Sequence, residues 1–163
     1  MNKDRTINVF FCGTGGQGVL TAAEILGKAA LLSGYHVKKS EVHGMAQRGG
    51  SVESHLRFGK KVFSPLIPYG RADYLVSFYK EESLRLKGIL APGGVDLTRC
   101  IDQAGALTAG PKYLNTYLLG VLSAYLPIKE DKWLKALEEA FFSKNLKENI
   151  GVFQKGRKEA RLS

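Results

Sequence analysis

The apolar residues in the first third of the chain change their spacing twice. Ile7 to Cys12 is a short, mostly apolar run that glycine ends, which is typical of a buried parallel strand. From Val19 to Leu32 the apolar residues recur at intervals of three and four, which predicts an amphipathic helix closed by Gly34. Tyr35 to Val42 alternates weakly and predicts a second strand. Strand, glycine turn, helix and strand together predict a βαβ unit.

Alternation returns after a polar, glycine-rich connection. Ser51 to Phe58 carries apolar and polar residues in turn, which predicts a strand with one exposed face. Lys60 and Lys61 then turn the chain into Val62-Phe63-Ser64, and these three residues could pair with that strand as a hairpin. Ala72 to Tyr79 is largely apolar and predicts the next buried strand.

The rest of the chain is predicted to be mainly helical. A helix from Glu81 to about Leu90 is stopped by Pro92-Gly93-Gly94, and the segment from Gly94 to Ile101 is left open between a short strand and a loop. Tyr113 to Leu126 has the apolar spacing of a helix, and Asp131 is the predicted N-cap of another. These elements predict an α/β fold with a mostly parallel sheet and a helical C-terminal third.

Composition limits the class of protein. With 163 residues, of which 44% are hydrophobic, the chain is long enough for one domain with a core. No apolar run reaches the ~18 residues that span a bilayer, and the first apolar run is too short for a signal peptide, so we expect a cytoplasmic protein. Cys12 and Cys100 are far apart and form no CxxC motif, so we expect no metal or iron-sulfur site.

The net charge of +9 favours anionic partners, which include phosphorylated cofactors, acidic protein surfaces and nucleic acid. Basic residues concentrate in the last twenty positions, where a solvated helical face and a docking surface are equally consistent with the pattern. Basic residues interleaved with aromatics would indicate nucleic-acid binding, and no such motif occurs. We therefore expect no nucleic-acid partner.

The segment after the first strand has the spacing of a phosphate-binding turn. Gly13, Gly15 and Gly18 fit GxGxxG between a strand and a helix, where glycines allow backbone amides to approach an anion. A dinucleotide site also needs an acidic residue near the end of the second strand, and Glu41 is the only candidate. Tight strand-to-helix packing without a ligand explains the same glycines. A branched side chain at Gly15 is expected to damage folding or assembly, because it does not suit a tight strand-to-helix turn.

A second polar cluster follows the second predicted strand. Arg48 could present its donors to a carboxylate or phosphate, with Gln47 beside it. For His43, hydrogen bonding that shapes the loop is favoured over acid-base chemistry, and His55 is interpreted as a surface or interface residue. Cys12 is expected only to pack. No nucleophile with its base can be recognised, so the catalytic residues remain unassigned.

Four sequence motifs together resemble one known family. They are GTGGQGVLTAAEIL at 13–26, SEVHGMAQRGGSVESHLRFG at 40–59, VFSPLIPYGRADYLVSF at 62–78 and LAPGG at 90–94. Asn115, with LLG at 118–120, and the stretch from Asn149 to Gly156 also match. The chain resembles the gamma subunit or domain of 2-oxoacid:ferredoxin oxidoreductases, a group that includes the beta subunit of indolepyruvate oxidoreductase.

The resemblance implies a Rossmann-like three-layer fold and a single gamma-type domain over residues 1–163. It implies a subunit, inactive alone, of an enzyme that oxidatively decarboxylates a 2-oxoacid, commonly to an acyl-CoA, and passes the electrons to ferredoxin. Thiamine diphosphate and iron-sulfur clusters then belong to the thiamine-binding and ferredoxin-type partner subunits. Coenzyme A could contact this chain. No membrane is expected, and a homodimer of the isolated chain is left open.

The resemblance also implies which residues face the shared cofactor site. The predicted cofactor-binding residues are Gly13, Gly15, Gly16, Gln17, Gly18, His43, Gly44, Met45, Gln47, Arg48 and Gly49. The sequence departs from the family at Tyr79, where a glutamate is usual, and Glu81 is the proposed substitute. The segment from Gly94 to Asn115 is shorter than usual. The alternative function is a stand-alone nucleotide- or dinucleotide-binding module that uses Gly13 to Gly18.

Overall fold

The computed structural model describes residues 5–44, 49–107, 111–142 and 145–161, which form a five-stranded sheet and six α-helices. The strands are β1 Ile7–Thr14, β2 His36–His43, β3 Ser51–Gly59, β4 Ala72–Ser77 and β5 Leu90–Asp96. The helices are α1 Val19–Leu32, α2 Lys80–Leu86, α3 Cys100–Leu107, α4 Leu114–Ser123, α5 Glu130–Ala140 and α6 Leu146–Ala160. Among the described residues, no helix has both the length and the apolar character that crossing a membrane requires.

The strand order across the sheet is β2-β3-β1-β4-β5. β1 pairs in parallel with β4, and β4 pairs in parallel with β5. β3 is antiparallel to both of its neighbours, β1 and β2, so β2 runs in the same direction as β1. The α/β class and the mostly parallel sheet are therefore confirmed, and all strands but β3 end at the same edge.

The predicted βαβ unit is present, but β3 is inserted between its two strands. The hairpin is formed by β2 and β3, with His36 opposite Gly59 and His43 opposite Val52. The prediction that Val62-Phe63-Ser64 pairs with β3 was wrong, because these residues form no strand. The backbone N–H of Val62 donates instead to Nδ1 of His36, at 3.0 Å.

The helix predicted from Glu81 to about Leu90 is shorter in the structure, and strand β5 begins where that helix was expected to end. α2 ends at Leu86, a single 3-10 turn covers Lys87–Ile89, and β5 contains Pro92 and both following glycines. Proline is tolerated there because β5 is an edge strand, where one side of the ladder needs no donor. Asp131 lies in the first turn of α5 rather than at its N-cap, which is Lys129.

Most of the core lies on one face of the sheet. Trp133, Tyr117 and Phe153 are fully buried there with the apolar side of α1. α4 and α6 pack through glycines: a Cβ on Gly120 would overlap the carbonyl oxygen of Phe153, and one on Gly156 would overlap that of Tyr117. The smaller core of the other face includes Phe10, Cys12, Ile67, Leu75 and Ile89.

Candidate functional site at the carboxyl edge of the sheet

Two loops meet at the edge where the parallel strands end. The glycine loop follows β1, and the β2–β3 connection begins and ends at the same edge because β3 runs in the opposite direction. The backbone N–H of Gly15 donates to the carbonyl of Gly50 at 3.0 Å, which joins the two loops directly. The N–H of Gly44 donates to the carbonyl of Ser51 at 2.7 Å and closes the connection at its base. The two predicted glycine clusters are thus brought together.

Three of the four glycines of the glycine loop are required, either by a positive φ or by a lack of space for a Cβ. Gly16 and Gly18 have φ of +90° and +79°, values that L-residues adopt with strain. A Cβ on Gly13 would approach Oε1 of Gln17 to 2.7 Å. Gly15 has no positive φ, and a Cβ there would stay 3.9 Å from the nearest atoms. The tight turn therefore needs glycine at the other three positions, and the reason given for Gly15 was wrong.

The side chain of Gln17 connects the glycine loop to β4. Its Oε1 accepts from the backbone N–H of Thr14 at 2.7 Å, and its Nε2 donates to the carbonyl of Phe78 at 3.2 Å. These bonds use backbone groups that the loop and the end of β4 leave unpaired. Gln17 thus shapes the loop and holds it over the end of the sheet.

A depression of about 430 Å³ lies between the glycine loop and the start of α4, lined by Gly16, Gln17, Gly18, Lys112, Leu114 and Asn115. Asn115 is buried, and its Nδ2 faces Gly18 so closely that a Cβ there would come within 2.5 Å. Lys112 lies with Nζ 5.2 Å from the centre of the Tyr113 ring. An ammonium, an amide N–H and two helix N-termini together favour an anion.

Asn115 belongs to a buried chain of polar side chains that reaches α6. Its Oδ1 accepts from the N–H of Thr116 at 2.9 Å, and the Thr116 hydroxyl donates to Oδ1 of Asn149 at 2.6 Å. Nδ2 of Asn149 in turn donates to the carbonyl of Asn145 at 2.9 Å. Asn115 and Asn149 were matched to the family only as separate motifs, and the fold places them in one network behind the glycine loop.

A cluster of charges that the sequence did not reveal supports the base of the β2–β3 connection. One Nη of Arg85 donates to Glu53 and Glu82 at 2.7 Å and to the Ser51 hydroxyl at 2.9 Å. The Ser51 hydroxyl donates to Glu82 at 2.6 Å. Glu82 is the carboxylate that makes these contacts after the end of β4, whereas Glu81, the proposed substitute, is exposed.

The Arg85 hydrogen bonds, joined by the one from Ser51, hold the pKa of the Glu82 carboxyl below its ordinary value of 4.5. A carboxyl whose pKa is lower when folded stabilises the fold above its unfolded pKa, and this contribution is lost as the pH falls through the folded pKa. Glu82→Gln is expected to lower the free energy of unfolding by about 1 kcal/mol at pH 7, since Arg85 is half exposed.

Urea unfolding of the parent chain and of Glu82→Gln between pH 7 and pH 3 measures this contribution. The difference between the two proteins should shrink as the pH falls below 4.5. Glu81→Gln, at an exposed neighbouring position, is the matched control and should change little at any pH. A constant difference across the range would mean that Glu82 acts by packing and not by its charge.

The remaining predicted residues are placed as follows. Nε2 of His43 lies 3.8 Å from Glu41, whose other oxygen contacts Nζ of Lys39 at 2.7 Å. His55 packs edge-on against the Phe10 ring, and its Nδ1 accepts from the N–H of Ile67. Burial lowers the pKa of His55. His55 therefore supports the backbone of a neighbouring segment, as an uncharged ring.

Three of the predicted binding residues, Met45, Gln47 and Arg48, lie outside the described residues. Gly49 has a φ of +67° and is exposed beside the glycine loop. Cys12 is buried, and burial raises the pKa of its thiol to about 12, so it packs as an un-ionised group, as predicted. Among the described residues, no three His, Cys, Asp or Glu side chains are grouped to hold a metal ion.

The fold and these loops define an α/β layer that offers backbone donors at the carboxyl edge of its sheet. The pyruvate ferredoxin/flavodoxin oxidoreductase family matches residues 8–99, which is more than half of the chain. The chain belongs to this family. The match contains β1, α1, the β2–β3 hairpin, β4 and β5, and therefore both loops of the candidate site.

Individual relatives agree with this assignment. The indolepyruvate oxidoreductase subunit IorB of Thermococcus kodakarensis is 50% identical over 91 residues, which cover 56% of this chain and 45% of that protein. The match thus spans about half the length of this relative. The keto/oxoacid ferredoxin oxidoreductase gamma subunit of Geobacter sulfurreducens has the same fold, with a TM-score of 0.79, 21% identity and coverage of 96% of this chain and 99% of that one.

A second solved structure is the 2-oxoglutarate:ferredoxin oxidoreductase of Magnetococcus marinus with 2-oxoglutarate, coenzyme A and succinyl-CoA bound. It matches with a TM-score of 0.83 and 19% identity, over 98% of this chain and 32% of that chain. The complete α/β layer of this protein therefore occurs within a longer chain in that enzyme.

Proposed function

We propose that this chain is a non-autonomous subunit of a thiamine-diphosphate-dependent 2-oxoacid:ferredoxin oxidoreductase, with residues 1–163 forming one gamma-type domain. The observation that carries the proposal is the joined pair of loops at the carboxyl edge, held by the Gly15–Gly50 hydrogen bond. The loops present backbone donors beside the Lys112 and Asn115 depression. Such a surface can orient a substrate or cofactor held by another subunit.

An iron-sulfur cluster with a full set of thiolate ligands does not fit this sequence. Such a cluster needs about four cysteines, and the sequence has two, both buried. We propose that partner subunits hold the iron-sulfur clusters and thiamine diphosphate, and that they also make the contact with ferredoxin.

We propose that coenzyme A binds in the depression beside the glycine loop. Its phosphates would meet the ammonium of Lys112, the amide of Asn115 and the backbone of Gly16 to Gly18. The Magnetococcus marinus enzyme, which shares the fold, was solved with coenzyme A bound. We propose that Gln47, Arg48 and His43 face the same ligand from the β2–β3 connection.

A stand-alone dinucleotide module is disfavoured by the sheet order. In a dinucleotide fold, the acidic residue that holds the ribose lies on the strand beside β1. Here β3 occupies that place, which moves Glu41 one strand further, by roughly 4.8 Å. Glu41 is also engaged by Lys39 at 2.7 Å.

Co-expression with a thiamine-binding subunit of the same family tests the proposal. We expect a stable complex that reduces methyl viologen in the presence of a 2-oxoacid and coenzyme A, and no activity from either part alone. The substrate panel should include pyruvate and indolepyruvate, the latter because it is the substrate named for the Thermococcus relative. A chain that stays monomeric with every such partner, or that alone binds NAD or FAD by calorimetry, would contradict the proposal.

A further inference from the structure

The segment Lys60–Arg71, between β3 and β4, divides its apolar residues between two sides. Val62 and Ile67 are buried against the sheet. Phe63, Leu66 and Tyr69 face outwards and are 81%, 53% and 78% exposed. Single exposed apolar residues are common, but three large ones within seven residues are a concentration of the kind that marks an interaction surface, and we call these three residues the patch.

The segment is irregular, yet its backbone is held at four points by side chains of the sheet. Arg57 donates through Nη1 to the carbonyls of Ser64 and Leu66, at 3.0 and 3.1 Å. His55 and His36 accept through Nδ1 from the N–H groups of Ile67 and Val62. A loop that is already ordered loses less entropy when a partner binds to it. The three outward side chains are thus presented from a fixed backbone.

The surroundings of this patch are basic. Lys61 and Arg71 belong to the segment itself. The Tyr69 hydroxyl is so close to Gly88 that a Cβ on Gly88 would overlap it. Lys87, which precedes Gly88, therefore lies next to the segment. The nearby carboxylate of Asp73 is paired with Arg5. The apolar centre therefore has a positively charged rim, which complements an acidic surface.

Both ends of the segment lie at the opposite edge of the sheet from the two loops, because β3 ends and β4 begins there. A partner could therefore bind it without covering the carboxyl-edge site. Two copies of this chain joined symmetrically through the patch would place one basic rim against another, which opposes a homodimer. The charge pattern selects a different protein with carboxylates around an apolar pocket.

We propose that Lys60–Arg71 is a docking surface for an acidic partner protein, with Phe63, Leu66 and Tyr69 as its apolar anchors. The identity of that partner rests on the proposed function, which makes it another subunit of the same oxidoreductase. A few buried anchor residues, often aromatic, supply most of the binding energy at protein interfaces, and the basic rim sets the rate and the salt dependence of association.

The test compares three forms of the full chain in complexes with the co-expressed thiamine-binding subunit. One is the parent, one carries Phe63→Ser, Leu66→Ser and Tyr69→Ser, and one carries Phe142→Ser. Phe142 is 84% exposed at the end of α5, on another surface, and so is the matched control. The triple variant should bind at least about 100-fold more weakly, a loss of about 2.8 kcal/mol at 1.4 kcal/mol per tenfold, because it removes all three anchors. Phe142→Ser should bind like the parent.

Thermal unfolding of each isolated variant separates docking from folding, because outward side chains should leave the melting temperature unchanged. If the triple variant has a lower melting temperature than the parent, the binding test uses the double variant Lys61→Glu, Arg71→Glu instead. This variant should weaken binding at low salt. Assembly of a folded triple variant with parent affinity would overturn the docking surface alone, whereas failure of the parent chain to bind would contradict the proposed function as well. The isolated parent chain could instead form dimers or bind duplex DNA. If the triple variant abolished either property, the proposal of an acidic partner protein would also be overturned.

Discussion

Gly156→Ala is expected to lower the free energy of unfolding by about 3 kcal/mol, at the upper end of the usual overpacking penalty. A Cβ at this position would overlap the carbonyl oxygen of Tyr117 in α4, which is part of a helix and cannot rotate away. Helices α4 and α6 would have to separate. That movement would loosen the contacts of Tyr117 and Phe153 in the main core. Gly120→Ala should have a similar effect, because its Cβ would overlap the carbonyl oxygen of Phe153.

Gly151→Ala is the matched control, because Gly151 lies in the same helix with open space around its Cβ position. Alanine is a better helix former than glycine, so this variant should be more stable by roughly 0.5–1 kcal/mol. Equilibrium urea unfolding, followed by circular dichroism, gives all three values. If Gly156→Ala were as stable as Gly151→Ala, the close approach of α4 and α6 in this structure would be wrong.

The parts of the fold that were predicted correctly have a local cause. Helix α1 begins at Val19 and ends at Leu32, as its apolar spacing indicated. The strand β1 and the helical C-terminal third follow from similar patterns. The place of β3 between β1 and β2 could not be predicted this way, because strand order depends on pairings between distant residues. Alternation in Ser51 to Phe58 shows that one face is buried but does not identify the neighbouring strands.

The candidate site was predicted in outline for the same reason. Glycine spacing located both loops, and the shared direction of β1 and β2 brought their ends to one edge. The supporting residues were missed because they contact the loops only in three dimensions. Arg85 is four residues beyond Glu81, the proposed acidic residue. Nothing in its local sequence links it to Ser51 and Glu53, which it contacts. Asn115 is about a hundred residues from Gly18, which it faces.

Three alanine substitutions in the glycine loop should separate backbone strain from steric conflict. Gly15→Ala should change the free energy of unfolding by less than about 0.5 kcal/mol, since its φ is not positive and its surroundings are open. Gly16→Ala should lower the free energy of unfolding by about 1–2 kcal/mol, because it adds a Cβ at a φ of +90°. This loss would come from backbone strain alone, since the Cβ meets nothing within 4 Å. Gly18→Ala carries the same strain at +79° and must also displace Asn115.

Gly18→Ala is therefore expected to cost at least about 1 kcal/mol more than Gly16→Ala, as overpacking adds to strain. A double-mutant cycle with Asn115→Ala isolates that addition. Once Asn115 is shortened, the alanine at position 18 should cost only what it costs at position 16, since the atom it displaced is gone. An undiminished cost in the Asn115→Ala background would mean that Asn115 does not constrain the glycine loop. A larger loss at Gly15 than at Gly18 would restore Gly15 as the residue on which the turn depends.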